Sequence, residues 1–341
     1  MTEHFANTLT AKSDIVALAA VAVAGAASAQ VTLSGSVAYG YQATTSSTKA
    51  VTGVAGTAAK GYTDYVAAVA EAKNVKASGF GVDTAAITMA ASEDLGGGLK
   101  VSGSMTLGGI TRGDTPTGED FKMVVSGGFG TVLLGQIEIG SGIRGLGQAG
   151  APVNNMEGEV LAAATSGTDI IGYTAPKMGD FTFGISHTET KGLATGLSNG
   201  QVSALTPSVS YASGPLAAKF DYTDWDSDST TVDSRYRISA KYDLGVAAVG
   251  AGYENIKGVT KAADTKLSIV GVNVPMGTMS FGMVYVTNKT GTAETRKGTS
   301  IGMQYNLSKR TNVTANYASW DSAAVANTTD KKTTILLNHS F

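Results

Sequence analysis

The 341-residue sequence contains no cysteine and only three histidines, His4, His187 and His339. Without cysteine the chain can form neither a disulfide nor a thiolate zinc site, and it has no cysteine nucleophile. Three scattered histidines do not favour a histidine-rich metal site. Charged residues make up only 15% of the chain, and the net charge of −2 offers no basic surface for nucleic acid. These shortages argue against nucleic-acid binding and most metal or thiol chemistry.

The sequence also lacks any apolar run near the ~18 residues that a membrane-spanning helix needs. Its longest run, from Ile15 to Ala27, has 13 apolar or small residues and is followed by Ser28-Ala29. A short apolar run before an A-x-A site is typical of a secretory signal peptide, although a buried core helix would also contain such a run. We therefore predict a cleaved signal peptide over residues 1–29 and one mature domain over 30–341.

Glycine, in contrast, is abundant, with 44 residues, and the commonest pattern is an alternation of apolar and polar residues. In Thr299–Leu307, for example, Ile301 and Met303 share one face, whereas Gly302 and Gln304 share the other. A period of two residues predicts β-strands, and glycine, serine and threonine disfavour helices. Sixteen segments follow this rule: 31–42, 80–92, 98–108, 119–127, 130–136, 168–176, 180–188, 205–212, 215–223, 233–242, 246–254, 264–274, 278–286, 299–307, 311–320 and 332–341.

The connections between these segments alternate between tight turns and long polar links, of which 43–79 and 137–167 are the longest. An even number of strands of about 9–11 residues, with short turns on one side and long loops on the other, is typical of a transmembrane β-barrel. The small, mildly polar inner face suits a water-filled lumen, unlike the apolar core of an immunoglobulin-like sandwich. We also find no fixed-length repeat of the kind that a fibre would need. The sequence therefore predicts an all-β, 16-stranded antiparallel transmembrane β-barrel with short periplasmic turns and long outer loops.

Several segments resemble those of known barrels. The chain ends in His339-Ser340-Phe341, and QVTLSGSVAYGY follows the predicted cleavage site. The stretches SEDLGGGLKVSGSM, FKMVVSGGFGTVLLGQ and GYTAPKMGDFTFGISH look like hairpins of the same barrels. In this order and spacing, residues 30–341 resemble the general trimeric porins of Gram-negative bacteria.

The resemblance implies a channel in the cell outer membrane for the passive diffusion of small hydrophilic solutes and ions. It also implies a third loop, over 137–167, that folds into the barrel and narrows the channel. A homotrimer surrounded by outer-membrane lipid and lipopolysaccharide is implied as well. No cofactor, nucleotide or catalytic residue is expected for such a protein.

This reading assigns candidate residues to the channel. In the loop they are Glu138, Arg144, Glu157 and Glu159. On the barrel wall, the alternation selects Lys100, Lys122, Lys219, Arg235, Arg237 and Lys241, together with Lys266 as a less well-defined candidate. Any of them could instead be a hydrated charge away from the narrowest ring. Three loop glutamates facing few certain bases predict weak charge selectivity that leans towards cations.

The trimer contact is predicted from aromatic residues, which mark lipid contact in barrels. Residues 80–136 hold three aromatic residues, whereas residues 173–320 hold fifteen. The early strands instead carry small residues such as Ala85, Ala91 and Gly103. We therefore expect the first five strands and the last strand to form the interface.

Other readings remain open. Gly140-x-Gly142-x-x-Gly145 matches a dinucleotide-binding fingerprint, but residues 146–167 are too rich in glycine and proline for the helix that must follow. A substrate-specific sugar or anion channel is one alternative function, and an enzymatic barrel using His187 is another. Asp224, Asp226 and Asp228 are weak candidates for calcium, because a solvated loop tip would have the same composition.

Overall fold

A computed structural model describes residues 30–49, 75–110, 115–189, 202–226, 229, 231–323 and 327–341. Sixteen antiparallel strands form one closed barrel, in which consecutive strands pair and the first pairs with the last. This confirms the predicted fold. The predicted signal peptide, 1–29, lies outside the described residues. No helix in the described part of the chain is long and apolar enough to cross a membrane.

The strands vary in length, and several extend beyond their predicted bounds. They are β1 (Gln30–Thr48), β2 (Val75–Gly96), β3 (Leu99–Gly108), β4 (Thr117–Gly127), β5 (Gly130–Ile139), β6 (Thr165–Thr174), β7 (Phe181–Glu189), β8 (Ser203–Ser213), β9 (Leu216–Trp225), β10 (Val232–Asp243), β11 (Ala248–Gly258), β12 (Thr265–Met276), β13 (Met279–Thr290), β14 (Arg296–Asn306), β15 (Thr311–Asp321) and β16 (Thr328–Ser340). A four-residue helix, α1 (Arg144–Gly147), and a 3₁₀ helix, Lys261–Ala263, are also present.

The first hairpin shows why some bounds were predicted too short. β1 and β2 pair as far as Ser46 and Val75, so both ends of the predicted link 43–79 belong to strands. This part of β1 is rich in threonine and serine, which weakens the apolar–polar contrast. Strand pairing depends on backbone hydrogen bonds, however, and continues where the side-chain pattern fades. Residues 50–74 lie outside the described part of the chain.

Glycine forms the tight turns at one end of the barrel. Gly179, Gly214, Gly245 and Gly277 have φ angles of 62°, 51°, 82° and 63°. This left-handed region is open to glycine but costly for residues with a Cβ. The predicted periplasmic turns therefore depend on local chemistry that is visible in the sequence.

The apolar face of each strand points outwards. On β9, Phe220 and Tyr222 are 42% and 40% exposed, whereas Asp221 and Thr223 between them are buried inside the barrel. Lipid can receive the apolar outer face, while the polar inner face lines the lumen. Closure leaves no unpaired strand edge in the hydrocarbon region.

The link between β5 and β6, residues 140–164, folds inside the barrel; we call it the third loop. Its Ile143, Met156 and Val160 are fully buried or nearly so, and they join a cluster that includes Leu267 and Ile269 of β12. Within the described residues, this cluster is the main hydrophobic core. The loop contains one short helix, α1, which is not the long helix of a dinucleotide-binding fold.

Candidate functional site

The third loop lies against inner-wall glycines of β11–β14. A Cβ added at Gly252 would come within 2.8 Å of the Cβ of Ile143. One added at Gly271 would lie 2.6 Å from the carbonyl oxygen of Gly147, closer than real Cβ atoms approach other atoms. The same crowding occurs along this surface, which we call the glycine seat: Gly250, Gly252, Gly271, Gly282, Gly298 and Gly302. Only glycine lets the loop backbone lie this close to the wall.

Hydrogen bonds hold the far part of the loop against the same wall. Asn288 of β13 donates its side-chain N–H to the carbonyl oxygen of Val160, at 2.8 Å. Arg296 of β14 donates to the carbonyl oxygen of Glu159. These bonds satisfy backbone acceptors that would otherwise be half-buried without partners. The loop is therefore fixed against one side of the barrel.

Two of the predicted constriction residues pair with each other. The Nη1 atom of Arg144 lies 3.4 Å from Oε2 of Glu157. The other carboxylate oxygen of Glu157 accepts the backbone N–H of Ser141, at 2.7 Å. The side chains of Arg144 and Glu157 therefore stabilise the loop through contacts within it. The predicted preference for cations assumed three free loop glutamates. Because Glu157 is paired with Arg144, one of the three is not free.

The other two loop acids differ in exposure. Glu138, near the end of β5, has an exposed side chain, and its backbone N–H donates to Asp120. Glu159 is half-buried, and its Oε2 has no hydrogen-bond partner within the described residues. Glu138 is therefore the more exposed of these two acids.

Several predicted wall bases are paired with an acid, lie near the tight turns or point out of the barrel. Lys122 forms a 2.7 Å ion pair with Asp120 on the same face of β4. Lys100 and Lys241 have inner-face parity but lie near the tight turns at the ends of β3 and β10. Lys266 was assigned wrongly: its neighbour Leu267 is buried beneath the loop, so Lys266 points out of the barrel.

The remaining predicted bases meet in a cavity of about 510 Å³, which we call the side chamber. It lies between the two ends of the third loop and the inner faces of β6–β11. Arg237 pairs with Asp221 of β9, with Nε and Oδ1 2.7 Å apart, and both side chains are buried. The guanidinium of Arg235 lies over the ring of Trp225, 5.1 Å from its centroid, and donates to Thr223. Lys219 is exposed on the same wall.

Sequence reasoning missed the acids of this wall. Asp221 lies two residues after Lys219, and Glu254 lies directly opposite Arg237 on β11. Glu254 is only 2% exposed. The alternation that selected the bases also gives both acids inner-face parity, so the signal was present. Asp120 and Arg296 were overlooked in the same way.

The structure adds little support for the calcium candidates or for His187 as a catalytic residue. The carboxylate of Asp226 accepts both the N–H and the hydroxyl of Ser203, whereas Asp228 lies outside the described residues. No group of three metal-binding side chains occurs in the described ranges, and a calcium site with Asp224 stays a prediction. His187 lies 3.1 Å from Glu189.

Comparison with known proteins agrees with this architecture. The family model described as Gram-negative porin matches residues 16–324. The anion-selective porin from Comamonas acidovorans has a similar fold, with a TM-score of 0.66 and 19% identity over 92% of this chain and all of that one. A triple mutant of the Rhodopseudomonas blastica porin gives a TM-score of 0.60 and 12% identity, over 91% of this chain and 100% of that one. None of the curated proteins compared with the chain matches it.

Proposed function

Because this chain belongs to the Gram-negative porin family and forms an outer-membrane channel for passive diffusion, we propose that it is a weakly selective channel working as a homotrimer. The observation that carries the function is the third loop, which packs against one wall of a closed barrel that is too wide for side chains to fill. The rest of the lumen stays available to water and small solutes. Flow through such a channel depends on its width and its charge.

Weak selectivity is supported by the local pairing of charges. Lys122 and Arg237 each pair with an acid on the same or the neighbouring strand, and Arg144 pairs within the loop. A paired charge produces a weaker field in the lumen than a free one. We therefore propose that neither cations nor anions are strongly preferred. Single-channel recording under a salt gradient tests this, because the reversal potential measures the preference directly.

Export is proposed to proceed through cleavage after Ala29. The apolar run from Ile15 to Ala27 and the A-x-A site that ends at Ala29 support this proposal. We further propose that the chain is not an enzyme. His187 is half-exposed, its side chain contacts Glu189, and β7 places it on the outer face with Phe183 and Ile185.

The homotrimer is proposed to form through β1–β5 and β16. The outer face of β2 carries Ala85 and Ala91, which allow another barrel to approach closely, whereas β13 carries Tyr285 at 40% exposure. Aromatic residues on the outer face suit lipid contact. The absence of cysteine makes cross-linking straightforward.

We predict that Ala91→Cys will cross-link barrels within native outer membranes through a short bifunctional thiol reagent. The matched change Tyr285→Cys should label with maleimide but yield no cross-linked species, because it faces lipid. Denaturing gels measure the products. Cross-linking through Tyr285→Cys with none through Ala91→Cys would contradict the proposed interface.

A further inference from the structure

The side chamber contains an acid and a base whose charges are not paired with each other. Arg237 and Asp221 already form an ion pair, which leaves Arg235 and Glu254. Within the described residues, Glu254 has no cation within 4.0 Å, and its Oε2 has no hydrogen-bond partner. The Nε of Arg235 also has none, although its Nη2 donates to Thr223 at 3.2 Å. Leaving buried charges without partners costs stability, so such groups need an explanation.

The two side chains come from neighbouring strands at a fixed offset. Glu254 of β11 is directly opposite Arg237 of β10, and Arg235 lies two residues further along β10. Diagonal neighbours of this kind are about 7–8 Å apart at their backbones. Both side chains line the same chamber, so a small group inside it lies near both.

The chamber has the size and lining of a ligand site. Its volume of about 510 Å³ lies within the roughly 300–1,000 Å³ of small-molecule pockets. Trp225 supplies an apolar ring beneath Arg235, and hydroxyl groups line the neighbouring wall through Ser186, Thr206 and Ser208. The lining also includes an exposed acid, Glu138, and an exposed base, Lys219.

We propose that the side chamber binds zwitterionic α-amino acids, with the carboxylate at Arg235 and the ammonium group at Glu254. This rests on the proposed channel function, because the solute must enter through the lumen. A simple anion would satisfy Arg235 but would meet the like charge of Glu254. A simple cation would have the opposite difficulty, and a neutral sugar would pair with neither charge. An amino acid carries both partners on one carbon atom and so compensates both side chains.

Three solutes of almost equal size test the proposal: alanine, lactate and protonated 1-aminopropan-2-ol. Each is titrated into single-channel recordings of the purified full-length mature protein in dilute KCl, where screening is weak. Alanine should reduce the KCl current saturably. Lactate and the amino alcohol should need about tenfold higher concentrations, because each lacks one charge-assisted hydrogen bond.

The variants separate the two contacts. Glu254→Gln should abolish the preference for alanine over lactate, and Arg235→Gln should abolish its preference over the amino alcohol. Lys309→Gln in a tight turn and Glu93→Gln near the end of β2 are charge-matched controls outside the chamber, and should keep both preferences. If Arg235→Gln does not fold, Glu254→Gln alone tests the proposal. The measured quantity is then the ratio of the alanine and lactate concentrations that reduce the KCl current equally.

The inference is overturned if the three solutes reduce the KCl current at equal concentrations, or if Glu254→Gln retains the preference for alanine over lactate. Either result in a protein that conducts KCl leaves the channel function intact. Loss of KCl conductance in the folded wild-type protein would instead refute the open channel itself.

Discussion

Ion pairs within the barrel differ in how far they are shielded from water. The side chains of Arg237 and Asp221 are 11% and 3% exposed, whereas those of Lys122 and Asp120 are 40% and 27% exposed. Both pairs have N–O distances of 2.7 Å. Equal geometry with unequal burial allows the energetic effect of the environment to be compared directly.

We predict that Asp221→Asn will lower the free energy of unfolding by about 3–5 kcal/mol, because it leaves the buried Arg237 without its counter-ion. Asp120→Asn, the matched change in the exposed pair, should cost only about 0–1 kcal/mol. Urea titration of the refolded barrel, followed by its heat-modifiable gel shift, measures both. Equal losses of unfolding free energy in the two variants would show that burial of the Arg237–Asp221 pair does not increase its contribution to stability.

Individual residues were only partly predictable. Inner-face parity placed Lys122, Lys219 and Arg237 on the face where the structure also has them, because a strand places alternate side chains on opposite faces. Their role in the channel stays a prediction. Parity failed for Lys266, where the assignment of the strand face was wrong by one residue. The partners of these bases could not be read from the sequence, since Asp221 and Arg237 lie on different strands and meet only through strand register.

At the scale of the element, the glycine seat fixes the third loop. Neither the seat nor the loop's position on β11–β14 can be read from the sequence, because 44 glycines occur and the loop residues Ile143 and Gly147 are more than a hundred residues from Gly252 and Gly271. The tight turns were predictable for the opposite reason: their glycines act through local backbone conformation.

We predict that Gly271→Ala will displace the loop and change the single-channel conductance, because the added methyl group would lie 2.6 Å from the carbonyl oxygen of Gly147. Gly172→Ala, also on the inner face, is the matched control. Its Cβ would lie 3.7 Å from Leu133 and 3.8 Å from Ser186, at ordinary contact distances. Planar-bilayer recording compares the two, and an unchanged conductance in Gly271→Ala would argue against the seat.

At the scale of the whole molecule, strand number and closure were the most predictable features. Lipid supplies no hydrogen-bond partners, so every strand must pair on both sides and carry a lipid-facing apolar row. That requirement is repeated in each strand and is visible sixteen times in the sequence. The width and charge of the lumen depend on where a single loop packs, and this is set by contacts between distant residues.

The central claim is an open channel in which several inner charges, those of Lys122, Arg144 and Arg237, are paired locally with acids. The most direct test is single-channel recording of the purified protein across a planar bilayer under a salt gradient, with no other solute added. We predict uniform current steps that occur in groups of three, with a reversal potential close to zero. A folded, heat-modifiable protein that passes no current, or a reversal potential close to that of an ideally selective cation or anion channel, would contradict it.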